Sequence, residues 1–223
     1  MKIAIFGGTF NPLHIGHVML ADQVIKELCY DKVIFVPSNI PPHKKNENLV
    51  DAVHRFNMIK SFCNKDKENK KHFIVEDCEI KRGGVSYTID TLLYLEEKYK
   101  NQKDEKFGFI MGDEVASEFH KWKAPEKIAS KVDFIITHRY QEDKNLFSEG
   151  EKNEPLQNYK GDFNTSFETS TFPYNHIYLS EPLLPVSSTT IRSKIKNGKS
   201  FKYLVPKSVY EYIIKKGLYK SNL

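Results

Sequence analysis

Two histidines lie three residues apart in GGTFNPLHIGH, residues 7–17, directly after the apolar run Lys2–Phe6. At a helix start, that spacing turns the imidazoles of His14 and His17 toward one cleft. There they can donate hydrogen bonds to phosphate oxygens and offset negative charge as it builds up. Gly7 and Gly8 end the strand and let the backbone turn sharply and approach a ligand closely. Thr9 and Phe10 then present backbone N–H groups, and Pro12 holds off helix until the turn is complete. Gly16 opens a helix whose N-terminus favours an anion. The stretch is phosphate-binding architecture without a Walker lysine. Gly198-Lys199-Ser200 is not a P-loop either, because Ser193 stands where the upstream glycine is required. Two other uses of the histidines compete: ordinary polar turn residues, or a metal pair. HxxH supplies only two ligands, and no third is evident nearby.

The elements that must position these residues alternate along the chain. Strands are expected at Lys2–Phe6, Lys32–Val36, Phe73–Val75 (with continuation to Ile80), Phe107–Met111, Val132–Ile136 and His176–Leu179. Several are near-continuous apolar runs, as strands covered on both faces should be. Between them lie helical patterns. Val18, Ala21, Ile25 and Leu28 share one face after Gly16, and Ala52–Phe62 and Ile89–Tyr99 behave similarly. Strand-helix-strand repetition predicts right-handed crossovers and an α/β, doubly wound, largely parallel sheet. Ligands of such sheets sit beyond the carboxyl ends of the strands. The C-terminal part reads as helical. Ser187 or Ser188 caps a helix running to Asn197, with Gly198 after it, and Pro206 starts another that Gly217 ends. Residues 141–175 are polar, dotted with aromatics and without a clear period, as in a long surface excursion.

Composition narrows the function classes. With 223 residues and 39% apolar side chains, including 15 Phe and 12 Tyr, the chain can bury a sizeable core. A net charge of +5 suits an anionic ligand, but the charge is dispersed, unlike that of a nucleic-acid binder. Cys29, Cys63 and Cys78 are odd in number and form no CxxC, so reduced, buried or half-buried thiols are expected rather than disulfides or zinc. No basic leader precedes an apolar stretch, and no apolar run approaches the roughly 20 residues of a membrane span. The expected location is the cytoplasm.

GGTFNPLHIGH resembles the HxGH signature of the nucleotidyltransferase superfamily, whose members share a Rossmann-like fold and transfer a nucleotide from ATP or CTP. HIGH also occurs in class I aminoacyl-tRNA synthetases, but their KMSKS loop is not found. In its place SSTTIR, residues 187–192, is similar to the SSTxIR signature of the adenylyltransferase branch. PSNIPPHK (37–44), SYT (86–88) with Asp90-Thr91, IMGD (110–113), His120-Lys121-Trp122 and the ending LVPKSVYEYIIKKGLY resemble elements of bacterial nicotinate-nucleotide adenylyltransferases. The likeness covers nearly the whole chain outside residues 141–175. Asn11 stands where Asp is common, and His138-Arg139-Tyr140 lacks the RPG that usually follows the fifth strand.

The resemblance implies AMP transfer from ATP to nicotinate mononucleotide, releasing pyrophosphate. It implies a Rossmann-like domain over 1–185 and a helical segment, 186–223, completing the ATP site. His14, His17, Lys44 and Arg192 would carry the catalysis. Gly8, Thr9, Phe10, Gly16, Gly112, Asp113, Arg139, Ser188 and Thr189 would bind ATP. Ser188 and Thr189 would cap a helix that meets a phosphate, with Arg192 one turn in. Asn39 and His43 would bind the acceptor, with Thr88 at a helix N-terminus suited to the nicotinate carboxylate and Trp122 stacking on the cationic ring. Mg²⁺ would be held mainly by ATP phosphates and water, with no protein metal site. The partners implied are ATP and the mononucleotide, not nucleic acid or membrane, and a homodimer stays open. Other acceptors, nicotinamide mononucleotide or pantetheine phosphate, and a non-catalytic RNA-binding module are the competing readings.

Overall fold

The computed structural model describes residues 1–40, 49–99, 106–137, 172–179 and 184–220. Its strands are β1 (Ile3–Gly8), β2 (Lys32–Pro37), β3 (Phe73–Val75), β4 (Phe107–Gly112), β5 (Val132–Thr137) and β6 (His176–Leu179). They form one sheet of order β3-β2-β1-β4-β5-β6, and every pairing is parallel. The helices are α1 (Ile15–Lys26), α2 (Ala52–Cys63), α3 (Lys67–His72), α4 (Cys78–Arg82), α5 (Thr88–Tyr99), α6 (Asp113–Ser117), α7 (Pro125–Ala129), α8 (Ser188–Lys196) and α9 (Lys207–Lys216).

The period-2 alternation of the strands splits the core in two. Ala4, Phe6, Val33, Phe35, Ile110 and Ile135 face one layer, closed by α1, α2, α8 and α9. Ile3, Ile5, Ile34, Val36, Phe109, Met111, Phe134 and Ile136 face the other, closed by α5, α6 and α7. Both faces are covered, so the fold is a doubly wound, Rossmann-like α/β sheet. Ile191, Ile195, Val209 and Ile213 of α8 and α9 belong to the first core layer and are at most 9% exposed. Each such side chain contributes roughly 1.5–3 kcal/mol by burial. The C-terminal helices are thereby fixed against the sheet that holds the opening turn.

Several expectations need correction. β3 stops at Val75 instead of continuing to Ile80. The next residue, Glu76, buries its carboxylate, which accepts from Lys98 Nζ at 2.7 and 2.8 Å and from the Tyr99 hydroxyl. The chain leaves the sheet to make those bonds, and Cys78–Arg82 is helical. One residue at the excursion's end is core rather than surface, although Pro173 and Asn175 beside it are exposed. Phe172 is 7% exposed, packed edge-on against Phe119 and Phe134, and Tyr174 packs beside it. Cys63 and Cys78 are buried, but Cys29 is exposed. Burial pushes the Cys63 thiol up to about 12 and the Cys78 thiol up to about 11. Among the described residues, no helix is long and apolar enough to cross a membrane.

Candidate active site

The strand order reverses between β1 and β4: the chain runs outward through β2 and β3, then returns to β4. A crevice opens beyond the carboxyl ends of strands at such a reversal. The opening motif follows β1, and Gly112-Asp113 follows β4. Gly7 and Gly8 are the last two residues of β1, paired with Val36 and Pro37, rather than the turn itself. The left-handed step falls at Phe10, φ 47°. Its ring is buried and folds back over Gly8, where a Cβ would lie 3.0 Å from it, so a larger residue there would have to push the ring aside. Phe6, Phe35 and His17 surround the Phe10 ring.

α1 begins at Ile15, with His14 in extended conformation as its N-cap and Gly16 second in the helix. The His14 and His17 rings stack, centroids 3.6 Å apart. The His14 backbone N–H donates to His17 Nδ1 at 3.2 Å. An accepting Nδ1 carries no proton, so neutral His17 holds its proton on Nε2. No acidic side chain stands in the first turn of α1 or of α8. Both helix N-termini therefore keep their favourable field for an anion.

The C-terminal helices clasp this turn. Ser188 Oγ donates to the Pro12 carbonyl at 2.9 Å, and Arg192 Nη1 to the Asn11 carbonyl at 2.9 Å. Arg192 Nη2 also donates to Thr189 Oγ1 at 3.3 Å, which fixes the guanidinium plane. The cap of α8 is Ser187, whose Oγ accepts from Thr190 N at 3.1 Å. Ser188 and Thr189 are thus first-turn residues rather than caps, and Ser188 is freed to bind across to the turn. Ile15 N donates to Leu204 O at 3.0 Å, and the Tyr219 hydroxyl donates to Asn11 Oδ1 at 2.9 Å. Burial raises the Tyr219 phenol above its ordinary value, against the nearby charges of Arg192 and Arg55, so it remains a donor. Gly16 permits the close approach. A Cβ there would sit 3.1 Å from Val186 Cγ1 and 3.3 Å from the His14 ring.

On the other side, the loop after β2 meets the start of α5. Asn39 N donates to Ser86 Oγ at 2.9 Å, Asn39 Nδ2 to Gly84 O at 3.0 Å, and Ile40 bridges to Val85. Thr88 is the first residue of α5. Lys123 Nζ lies 4.5 Å from the Tyr87 ring centroid and 3.6 Å from Asp90 Oδ2, at the start of that helix. Trp122 is half-buried and leans on Phe119 and Phe109 at 5.3 and 5.9 Å. Asp113 is buried as the first residue of α6, with Gly112 as N-cap, and its Oδ1 accepts from Glu114 N at 2.8 Å. His43, Lys44 and Arg139 lie outside the described residues. His54, His72 and His176 make structural bonds, to Tyr212, Asp31 and Tyr174.

Sequence reasoning missed Arg55, Asn11 and Tyr219 as parts of this site. Arg55 stands within an ordinary helical pattern. Its partners are backbone carbonyls of distant loops, which leave no mark in sequence.

Comparisons with known proteins show the family and the fold. The cytidylyltransferase-like family profile matches residues 5–194. The probable nicotinate-nucleotide adenylyltransferase of Treponema pallidum is 37% identical over 224 residues, covering 99% of this chain and all of that one. Its counterpart in Caldicellulosiruptor bescii is 38% identical over 220 residues, again covering 99% and 100%. Plasmodium falciparum nicotinic acid mononucleotide adenylyltransferase complexed with NaAD shares the fold, with TM-score 0.67 at 20% identity over 98% of this chain and 97% of that one. The chain belongs to the cytidylyltransferase-like family and, within it, to the nicotinate-nucleotide adenylyltransferases.

Proposed function

We propose that the chain joins the AMP of ATP to nicotinate mononucleotide, forming nicotinate adenine dinucleotide and pyrophosphate. The observation that carries this reading is the clasp of Ser188 and Arg192 on the turn that presents His14 and His17. One oxygen of the mononucleotide phosphate attacks the α-phosphorus of ATP. The new P–O bond forms as the bond to the bridging oxygen of the β-phosphate breaks, and that oxygen leaves on pyrophosphate. The attacking oxygen is already an anion at neutral pH, so the site requires no general base. Its work is positioning and charge stabilisation.

His17 donates through Nε2 to a phosphate oxygen, with its ring held by the His14 N–H. Arg192 grips the triphosphate from the opposite wall, and Ser188 and Thr189 bring the α8 N-terminus to it. Gly8, Thr9, Phe10 and Gly16 shape the floor, and Gly112 and Asp113 line the β4 side. Asn39, His43 and Thr88 hold the acceptor, and Trp122 stacks on its ring. Lys44 and Arg139 add charge at the phosphates and beside the adenosine. Among the described residues, no group of three or more His, Cys, Asp or Glu side chains can hold a metal ion. Mg²⁺ would arrive on ATP, held by phosphate oxygens and water, and would neutralise charge on the triphosphate. Three unpaired thiols suit a reducing compartment and support a cytoplasmic reading.

The test is pyrophosphate release from MgATP, without nucleic acid, against a panel of acceptors. Nicotinate mononucleotide should give the highest kcat/KM. A preference for pantetheine phosphate or nicotinamide mononucleotide would replace this substrate assignment. No turnover with any acceptor would favour a binding module.

A further inference from the structure

Arg55 on α2 is 1% exposed, yet it lies in no recognisable motif. Its guanidinium donates to four backbone carbonyls. Nη1 reaches Thr9 O at 2.9 Å and Ser38 O at 2.6 Å, Nη2 reaches Asn39 O at 3.0 Å, and Nε reaches Val50 O at 3.1 Å. Thr9 belongs to the turn after β1, Ser38 and Asn39 to the loop after β2, and Val50 to the approach to α2. One rigid fork therefore ties together the loop of the ATP half and the loop of the acceptor half.

We propose that Arg55 is a positioning residue that sets these two loops in mutual register, so that the acceptor phosphate meets the α-phosphorus in line. The inference rests on the function proposed above. In-line attack demands that two separately bound substrates be aligned, and a displacement of about 1 Å can cost on the order of a hundredfold in rate. Packing of Phe10 on Phe35 anchors part of these loops, but Gly8, Thr9 and Asn39 are only half-buried, so burial alone does not fix their backbone. A planar guanidinium with five N–H groups in fixed directions can. The buried charge has a second consequence. Its partners are carbonyl dipoles of both loops, so it places positive potential beneath the segments that face phosphates.

The experiment compares wild type with Arg55→Lys and Arg55→Gln. Each is measured for its cooperative thermal transition, for KM of ATP and of nicotinate mononucleotide, and for kcat. Lysine keeps the charge but cannot span four carbonyls, so both KM values should rise about tenfold and kcat should fall as well. Gln should be worse on all three, and the ranking Arg, Lys, Gln should hold for both substrates together. A residue that merely held the fold would lower the melting temperature and the folded fraction while leaving kcat per folded molecule and both KM values unchanged. That pattern, a change in one KM alone, or failure of both variants to fold would overturn the proposal. Wild-type turnover with nicotinate mononucleotide is measured in the same series. If wild type itself lacks it, the reading of function fails; if the variants' kcat per folded molecule and KM values all stay put, the positioning role fails.

Discussion

Arg192 donates through Nη1 to the backbone carbonyl of Asn11 at 2.9 Å, joining residues 181 positions apart. Ser188 makes the parallel bond to Pro12. The strand-leaving turn and the Ser-Thr-Arg helix therefore lie against each other, and protein partners hold the Arg192 guanidinium in plane. Arg192→Ala removes a charge-assisted fork worth about 1.5–3 kcal/mol, a loss of roughly ten- to hundredfold in kcat/KM for ATP. Arg192→Lys should recover only part of it. Melting temperature should stay within a few degrees, since Arg192 is a half-buried surface residue. Steady-state kinetics with ATP varied at saturating acceptor check this.

His17 sits at the third position of α1, with Nδ1 occupied by the His14 N–H. His17→Ala should leave folding intact and lower kcat on the order of 10²–10³-fold, the usual cost of one donor aimed at developing charge. Near-normal turnover of folded His17→Ala would remove His17 from the chemistry.

Gly16 is fixed by crowding on two sides. Gly16→Ala would press its Cβ on Val186 and the His14 ring. Overpacking of this kind costs about 1–3 kcal/mol, and each kcal/mol lowers the melting temperature by roughly 2–4 °C in a chain of this size. Relief must move either the His14 ring or the segment leading into α8. We therefore expect kcat/KM for ATP to fall about tenfold even where the protein is fully folded. Unchanged kinetics with a lowered melting temperature would mean that this contact serves packing alone.

Much of the architecture could be read from sequence, because its signal is local. The apolar runs that became β1, β2, β4 and β5 gained only a residue or two at their C-terminal ends, β1 also starting one residue later at Ile3, and His176–Leu179 needed no change. The phosphate turn was legible as a motif, though its left-handed residue is Phe10, not a glycine. What stayed hidden is non-local. Ile80 reads as strand until the buried Glu76 carboxylate, bound by Lys98 and Tyr99, pulls the chain from the sheet. Ser187 and Ser188 are indistinguishable as caps until Pro12 claims the second hydroxyl. Apart from Val50, Arg55 and Tyr219 bond to groups 16 to 208 residues away, whose pairing the local pattern does not show.

Alkaline pH tests the core directly. Burial raises Cys63 to about 12 and Cys78 to about 11 from an ordinary 9.0, and Tyr30 to about 12 from an ordinary 10.0. Unfolded, these groups ionise at their ordinary values; folded, they stay neutral. Their contribution to stability is present below about pH 9 and is lost as pH climbs toward 11–12. The urea midpoint should therefore fall between pH 8 and pH 10.5. Iodoacetamide at pH 8 should modify exposed Cys29 and spare the other two. A flat midpoint, or rapid labelling of all three thiols, would contradict the burial.

The central claim, that both walls grip one triphosphate, is tested most directly by NMR titration with a non-hydrolysable ATP analogue and Mg²⁺. The ring signals of His14 and His17 and the guanidinium signal of Arg192 should shift together along a single binding curve with one Kd. Shifts confined to one wall, or two curves with different Kd values, would contradict it.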